Sequence, residues 1–117
     1  VKKCTLPMWV AVGKGILANW LVNVAIFQAQ TAHTSAGKIA SLWLPIMTFV
    51  ALGLEHSVAN MCLLPLGWML GADVTLLSIA GNIIPVAVGN ALGAIVFVAG
   101  VQRYSIMRGM VHRAKSN

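Results

Sequence analysis

The sequence predicts an all-α membrane protein, and three observations support this interpretation. Hydrophobic residues make up 59% of the 117-residue chain and charged residues only 9%, whereas soluble domains carry roughly a quarter charged residues. Between residues 39 and 102 there is no Lys or Arg, and the only acidic residues are Glu55 and Asp73. The uninterrupted apolar runs are long enough to form helices. A water-exposed surface cannot be made from such a segment, so we expect one membrane domain over residues 1–117.

Three membrane crossings are predicted. The first is a straight helix at about 8–32. The second is broken into two apolar pieces, about 39–54 and 58–70, which cover only about 24 and 20 Å at roughly 1.5 Å per residue. The third runs over about 82–104, with Pro85 in its first turn, where a missing N–H costs little. Three crossings with one broken helix are typical of half of an inverted repeat.

Small and amide residues recur at helical spacing in the two straight helices. In the first helix they are Gly15, Asn19 and Asn23, and in the last helix they are Gly89, Gly93 and Gly100. Small residues let membrane helices approach closely, and amides form hydrogen bonds between them. We interpret both patterns as helix-packing surfaces.

Basic residues are concentrated at the ends of the chain, which has a formal net charge of +6. Lysines near the front and a basic tail over residues 105–117 border apolar runs, which is typical of anchors at a membrane surface. They are not interleaved with aromatic residues, as a nucleic-acid site requires. We therefore predict no nucleic-acid partner and a cytosolic C-terminus, with the front lysines on the outer side, where they attract anions.

The triplet Glu55-His56-Ser57 interrupts the second crossing. An acidic residue at a helix centre costs about 2.5–3.5 kcal/mol to insert, whereas one Leu or Ile returns only about 0.3–0.6 kcal/mol. We expect free backbone N–H groups of the second piece to bind the Glu55 carboxylate and Ser57 to cap that piece. His56 then lies at the break, where its ring can donate a hydrogen bond or a proton. A structural hydrogen bond is the alternative role for this histidine.

Catalysis and metal binding are not indicated. Adjacent Glu, His and Ser side chains point in different directions, whereas a catalytic triad is assembled by geometry. Neither G-x-S-x-G nor H-E-x-x-H occurs, and these are the motifs of serine hydrolases and zinc proteases. Cys4 and Cys62 have no Cys or His at metal-binding spacing. We predict no enzyme activity, no metal and no cofactor.

Four blocks, at residues 14–22, 44–47, 49–61 and 82–90, together resemble the formate/nitrite transporter family. They match its fourth to sixth membrane segments, so the chain is similar to the C-terminal half of the family. The resemblance implies an aquaporin-like fold in which five protomers form a ring and each has its own pore. It also implies transport of formate, nitrite or similar monovalent weak-acid anions, with or without protons.

Six positions match pore residues of this family, and the resemblance implies a role for each. His56 matches the central pore histidine, Phe49 an aromatic constriction and Lys3 a vestibule lysine that attracts anions. The polar partners that the resemblance places around the histidine are Glu55, Asn19 and Asn90.

The first three membrane segments of the family are absent from this sequence, so we expect that this half does not close a pore alone. The expectation is a fragment of a longer product, or a chain completed by a partner, in the plasma membrane. Two alternatives stay open. One is a non-conducting structural module that assembles with other membrane subunits. The other is a neutral-solute pore, which the absence of an Asn-Pro-Ala cap at the break disfavours.

Overall fold

The computed structural model describes residues 2–100 together with Arg103, Tyr104 and Met107, and in this part of the chain every regular element is a helix. The order is a 3-10 turn at Lys2–Thr5, α1 at Met8–Thr31, α2 at Ser35–Ala51, α3 at Ser57–Met69 and α4 at Leu76–Gly93. A π-helical segment, Ala94–Ala99, continues α4. The predicted all-α class is confirmed. The basic tail predicted over residues 105–117 lies outside the described residues except for Met107.

Two stretches, Met8–Thr31 and Leu76–Val96, are long and apolar enough to cross a membrane. The first has 24 residues, about 36 Å at roughly 1.5 Å per residue. Helices α2 and α3 are shorter, with 17 and 13 residues. Large apolar side chains are exposed along the described chain, and Leu77 and Leu70 have 83% and 80% of their surface accessible. Lipid is the solvent that suits such a surface.

The segment predicted to form the second crossing consists of two helices with a break between them. Helix α2 ends at Ala51, and the chain turns at Gly53, whose φ of 57° lies in the left-handed region that glycine adopts without strain. Helix α3 begins at Ser57. The interruption therefore covers residues 52–56 and lies slightly before the expected position, because the glycine turn ends α2 ahead of the polar triplet.

Helix α2 begins at Ser35, four residues before the expected position. The hydroxyl oxygen of Thr34 accepts a hydrogen bond from the backbone N–H of Gly37 at 3.0 Å. This N-cap satisfies one of the donors left free at a helix start, so the first helical turn forms from residues that composition alone assigned to a loop.

Helix α4 begins at Leu76 instead of about residue 82. Thr75 and Ser78 form a reciprocal capping box, in which each side chain accepts from the backbone N–H of the other residue. As a consequence Pro85 is the tenth residue of α4, and the expectation of a first-turn proline was wrong. Pro85 is buried.

Helices α1 and α4 pack backbone against backbone. A Cβ added at Gly93 would lie 2.5 Å from the carbonyl oxygen of Ile16, and one at Gly15 would lie 2.8 Å from that of Val86. A Cβ at Gly89 would overlap the Val12 carbonyl. The packing role predicted for these glycines is confirmed. At Gly100 an added Cβ would come no closer than 3.9 Å to the neighbouring atoms, so that glycine is not part of the close contact.

Candidate pore site at the helix break

His56 is the N-cap of α3. Its Nδ1 atom accepts a hydrogen bond from the backbone N–H of Val58 at 3.3 Å. A neutral imidazole that accepts at one nitrogen carries its proton on the other, so this contact leaves the Nε2–H group as the donor. The imidazole is half-buried. His56 therefore takes the capping position that was expected of Ser57.

The ring of Phe49 lies at the imidazole edge. The two ring centroids are 6.1 Å apart and the planes meet at 85°, an edge-to-face arrangement within the range of favourable aromatic pairs. Phe49 belongs to the last turns of α2, and His56 caps the start of α3. The break thus brings together the aromatic residue and the histidine that the sequence analysis assigned to the pore.

Glu55 is nearly fully buried, with 2% of its surface exposed. Its Oε1 atom accepts from Lys3 Nζ at 2.9 Å, and its Oε2 atom accepts from Asn60 Nδ2 at 2.6 Å. The expectation that backbone N–H groups of α3 bind this carboxylate was wrong, because the N–H groups of Ser57 and Val58 bind other side chains. A lysine and an amide stabilise the charge instead.

Lys3 is held in an ion pair. Its side chain is 35% exposed, whereas that of Glu55 is 3% exposed. Lys3, which the resemblance implies to be a vestibule lysine, thus pairs with the Glu55 carboxylate at the break, and this carboxylate offsets the charge of the lysine.

Asn90 connects the break to both neighbouring helices. Its Oδ1 atom accepts from the backbone N–H of Ser57 at 2.9 Å and from the Ser57 hydroxyl at 2.8 Å. Its Nδ2 atom donates to the carbonyl oxygens of Gly15 at 2.8 Å and Glu55 at 3.2 Å. Asn19 Nδ2 in turn donates to the Asn90 carbonyl. One buried amide thereby binds α1, the break and the start of α3 together.

The three predicted partners of the histidine bind elsewhere. In the described part of the chain, none of Glu55, Asn19 and Asn90 forms a hydrogen bond with the imidazole. The Glu55 carboxylate accepts from Lys3 and Asn60, Asn19 donates to the Asn90 carbonyl, and Asn90 donates to the Glu55 carbonyl. Asn90 alone binds the backbone on either side of His56, at the Glu55 carbonyl and the Ser57 N–H, and Asn19 in turn binds Asn90.

Two residues of this cluster were missed by the sequence analysis. Asn60 is fully buried and its Nδ2 also donates to Asn82 Oδ1 at 2.8 Å. Asn82 Nδ2 donates to the Lys3 carbonyl at 2.7 Å. Both are amides inside apolar helices and lie within the blocks that carry the resemblance, so the cost of burying an unpaired amide was the available signal.

Lys14 is a further residue at the break that the resemblance did not assign. Its Nζ atom donates to the carbonyl oxygen of Gly53 at 3.1 Å. No group of three or more His, Cys, Asp or Glu residues among the described residues is placed to hold a metal ion.

Comparison with known proteins places these residues in a family. The formate/nitrite transporter family model matches residues 1–104. The chain is 42% identical over 100 residues to a probable formate transporter of Methanothermobacter thermautotrophicus, a match covering 86% of this chain and 35% of that protein. It is 41% identical over 98 residues to the nitrite transporter NirC of Salmonella typhimurium, covering 82% of this chain and 36% of the relative.

A solved structure, an FNT family ion channel, superposes with a TM-score of 0.84 and 39% sequence identity, covering 89% of this chain and 42% of that one. The chain therefore spans about a third of the length of the curated relatives it matches. The relatives are transporters and channels, not enzymes. On the family match, the sequence identity and the shared fold, this chain belongs to the formate/nitrite transporter family.

Proposed function

We propose that the chain forms part of a membrane path for small monovalent anions, such as formate, nitrite or a similar weak-acid anion, with His56 as the residue that meets the solute. The observation that carries this proposal is the position of His56: it is half-buried at the break between α2 and α3, against the ring of Phe49. The names of the relatives support the solute class.

The chemistry of the site suits a weak-acid anion. A charged solute is costly to move past apolar side chains, and the cost falls when it receives a hydrogen bond or a proton. In the tautomer that accepts from Val58, His56 has its N–H on Nε2. This donor serves the anion by a hydrogen bond. Proton transfer first requires a proton from solution on Nδ1, in place of the Val58 contact, so that loss of the Nε2 proton leaves a neutral ring and yields the neutral acid.

Phe49 acts in this proposal as an aromatic constriction beside the histidine. The edge-to-face contact at 6.1 Å places a bulky apolar ring next to the donor. The Glu55, Asn19 and Asn90 side chains act by fixing the backbone of the break, so that the imidazole keeps its position.

The assembly is also a proposal. We infer that the working unit is a homopentamer in the plasma membrane with a cytosolic C-terminus, and that further membrane segments complete each pore. Supporting this, the chain spans 35% of one curated relative. The described part also exposes large apolar side chains, such as Trp43 at 68% and Leu77 at 83%.

The test is uptake by the complete protein reconstituted in liposomes. We expect His56→Phe to reduce uptake of labelled formate under an inward proton gradient to about a hundredth or less, the size of effect typical of removing a proton donor. His33→Phe is the matched control, because His33 is exposed in the connector between α1 and α2. Its uptake should equal that of the wild type.

Three outcomes would contradict the proposal. Unchanged uptake and pH dependence in His56→Phe would exclude the histidine from the path. Absence of anion uptake by the wild-type protein would favour the non-conducting structural module. Swelling with a neutral solute in place of anion uptake would favour an aquaporin-like pore.

A further inference from the structure

The charges around the helix break do not cancel. Lys3 and Glu55 form an ion pair at 2.9 Å, so their charges offset each other. Lys14 approaches the same break from α1 and donates to the Gly53 carbonyl at 3.1 Å. In the described part of the chain no carboxylate forms an ion pair with Lys14. One positive charge is therefore left over at the break, and it belongs to Lys14.

The position of Lys14 is inside the membrane-crossing helix and not at its mouth. It is the seventh residue of α1, which begins at Met8, so it lies about 9 Å along the helix at roughly 1.5 Å per residue. Its hydrogen-bond partner, Gly53, precedes His56 by three residues. The ammonium group is thereby held next to the segment that carries the proposed pore histidine.

The end of α2 explains why a lysine is tolerated there. The last carbonyl groups of a helix carry partial negative charge, which favours a nearby cation. Gly53 follows the last residues of α2, and its positive φ of 57° turns the chain away from the helix. Lys14 thus gains a partner that is a dipole and not a full charge, so its own charge is retained.

The ammonium group also has donors to spare. A lysine has three N–H donors, and only one contact, to Gly53, is formed by Lys14 in the described residues. The side chain is partly exposed. By contrast, the ammonium of Lys3 faces a buried carboxylate. Of the two lysines, Lys14 is the one whose charge no carboxylate offsets in the described residues.

We propose that Lys14 supplies an uncompensated positive charge, beside the Lys3–Glu55 ion pair, that draws monovalent anions to the break between α2 and α3. This inference rests on the proposed function, since it concerns how the same path selects its solute. It makes Lys14 a specificity-determining residue, because an ammonium group beside an apolar constriction raises the local concentration of anions and lowers that of cations.

A purely mechanical role for Lys14 is the competing explanation, because the hydrogen bond to Gly53 also fixes the break. Two substitutions separate the explanations. Lys14→Gln keeps an N–H donor for the Gly53 carbonyl and removes the charge, whereas Lys14→Arg keeps the charge and changes the geometry of the donor. The charge model predicts a defect in the first variant alone.

The experiment is formate uptake by the complete protein in liposomes, with initial rates measured against formate concentration at low and high salt. We expect Lys14→Gln to raise the half-saturating concentration about tenfold at low salt, the lower end of the effect of a focused charge on ion concentration. We expect the difference from wild type to shrink at high salt, because salt screens the charge. Lys14→Arg should remain near wild type.

Lys2→Gln is the matched control, because Lys2 is an exposed lysine of the N-terminal turn, and it should retain the wild-type half-saturating concentration. If Lys14→Gln does not elute as a folded protein, Lys14→Met tests the loss of charge together with the loss of the Gly53 hydrogen bond, and the salt dependence of its defect separates the two explanations. A wild-type half-saturating concentration in the neutral variants would overturn the inference, as would an equal defect in Lys14→Arg or a defect that salt does not change. Failure of the wild-type protein to take up formate would instead overturn the proposed function.

Discussion

The contact between α1 and α4 and the break between α2 and α3 are held in different ways. At the first, glycines bring two helices so close that an added Cβ at Gly93 would lie 2.5 Å from a backbone carbonyl. At the second, the chain is fixed by polar side chains, above all Glu55 and Asn90. One contact depends on the absence of side chains, and the other depends on specific ones.

This difference separates the scaffold from the site. Close backbone packing is rigid and carries no charge, so it sets where the helices lie. A buried polar cluster is costly unless its members are paired. Here the cluster lies at the break between α2 and α3, where the backbone is not helical. We infer that the first region supports the fold and that the second positions His56.

The largest effect should come from filling the helix contact. In Gly89→Ala the new methyl group would overlap the Val12 carbonyl, and overpacking of this kind costs typically about 1–3 kcal/mol, sometimes more. Gly81→Ala is the matched control on the same helix, because nothing lies within 4 Å of its added Cβ. Thermal unfolding in detergent should show a lowered Tm for Gly89→Ala only. Equal Tm values would contradict the packing account.

A smaller effect is expected from unpairing the charge at the break. Lys3→Met leaves the Glu55 carboxylate buried with Asn60 as its remaining side-chain partner. Removing one member of a buried pair costs about 3–5 kcal/mol, and we expect about 1–2 kcal/mol here because Lys3 is 35% exposed.

The double variant Lys3→Met/Glu55→Gln provides the control. It removes both charges, so its free energy of unfolding should lie closer to that of the wild type than that of Lys3→Met does. If the stability lost in the double variant equals the sum of the losses in Lys3→Met and Glu55→Gln, the pair is not coupled.

The smallest effect should come from a cap that lies away from both regions. Thr75→Ala removes the side-chain acceptor at the start of α4, and loss of an N-cap costs about 1 kcal/mol. Thr5→Ala, which loses only an exposed hydroxyl contact, serves as the control. Hydrogen exchange should increase in the first turn of α4 and remain unchanged at the break. Increased exchange at residues 52–56 would contradict the separation of the regions.

The sequence predicted the helical class and the broken crossing, because apolar run lengths and a buried acidic residue report them directly. It placed the starts of α2 and α4 too late. The cap at Thr34 lies in a polar connector that composition assigns to a loop, and Pro85 was taken as a first-turn residue, whereas the capping box at Thr75 starts α4 at Leu76. Helix ends are decided by single hydrogen bonds, which apolar periodicity does not register.

The site was predicted in its members more fully than in its contacts. His56 and Phe49, which the resemblance gave as pore residues, lie against each other. The partner of Glu55 was not foreseen, because Lys3 is 52 residues away in sequence and only the packing of the helices brings the two together. Sequence spacing indicates neighbours on one helix, whereas pairings between helices depend on the fold.

The central claim, that the break places His56 on an anion path, is tested most directly by chemical accessibility. In the complete protein with Cys4→Ser and Cys62→Ser, His56→Cys should react with a small water-soluble thiol reagent, and formate should slow the reaction. His33→Cys, exposed in the α1–α2 connector, should react at a rate that formate does not change. No reaction at position 56, or a rate there that is independent of formate, would contradict the account.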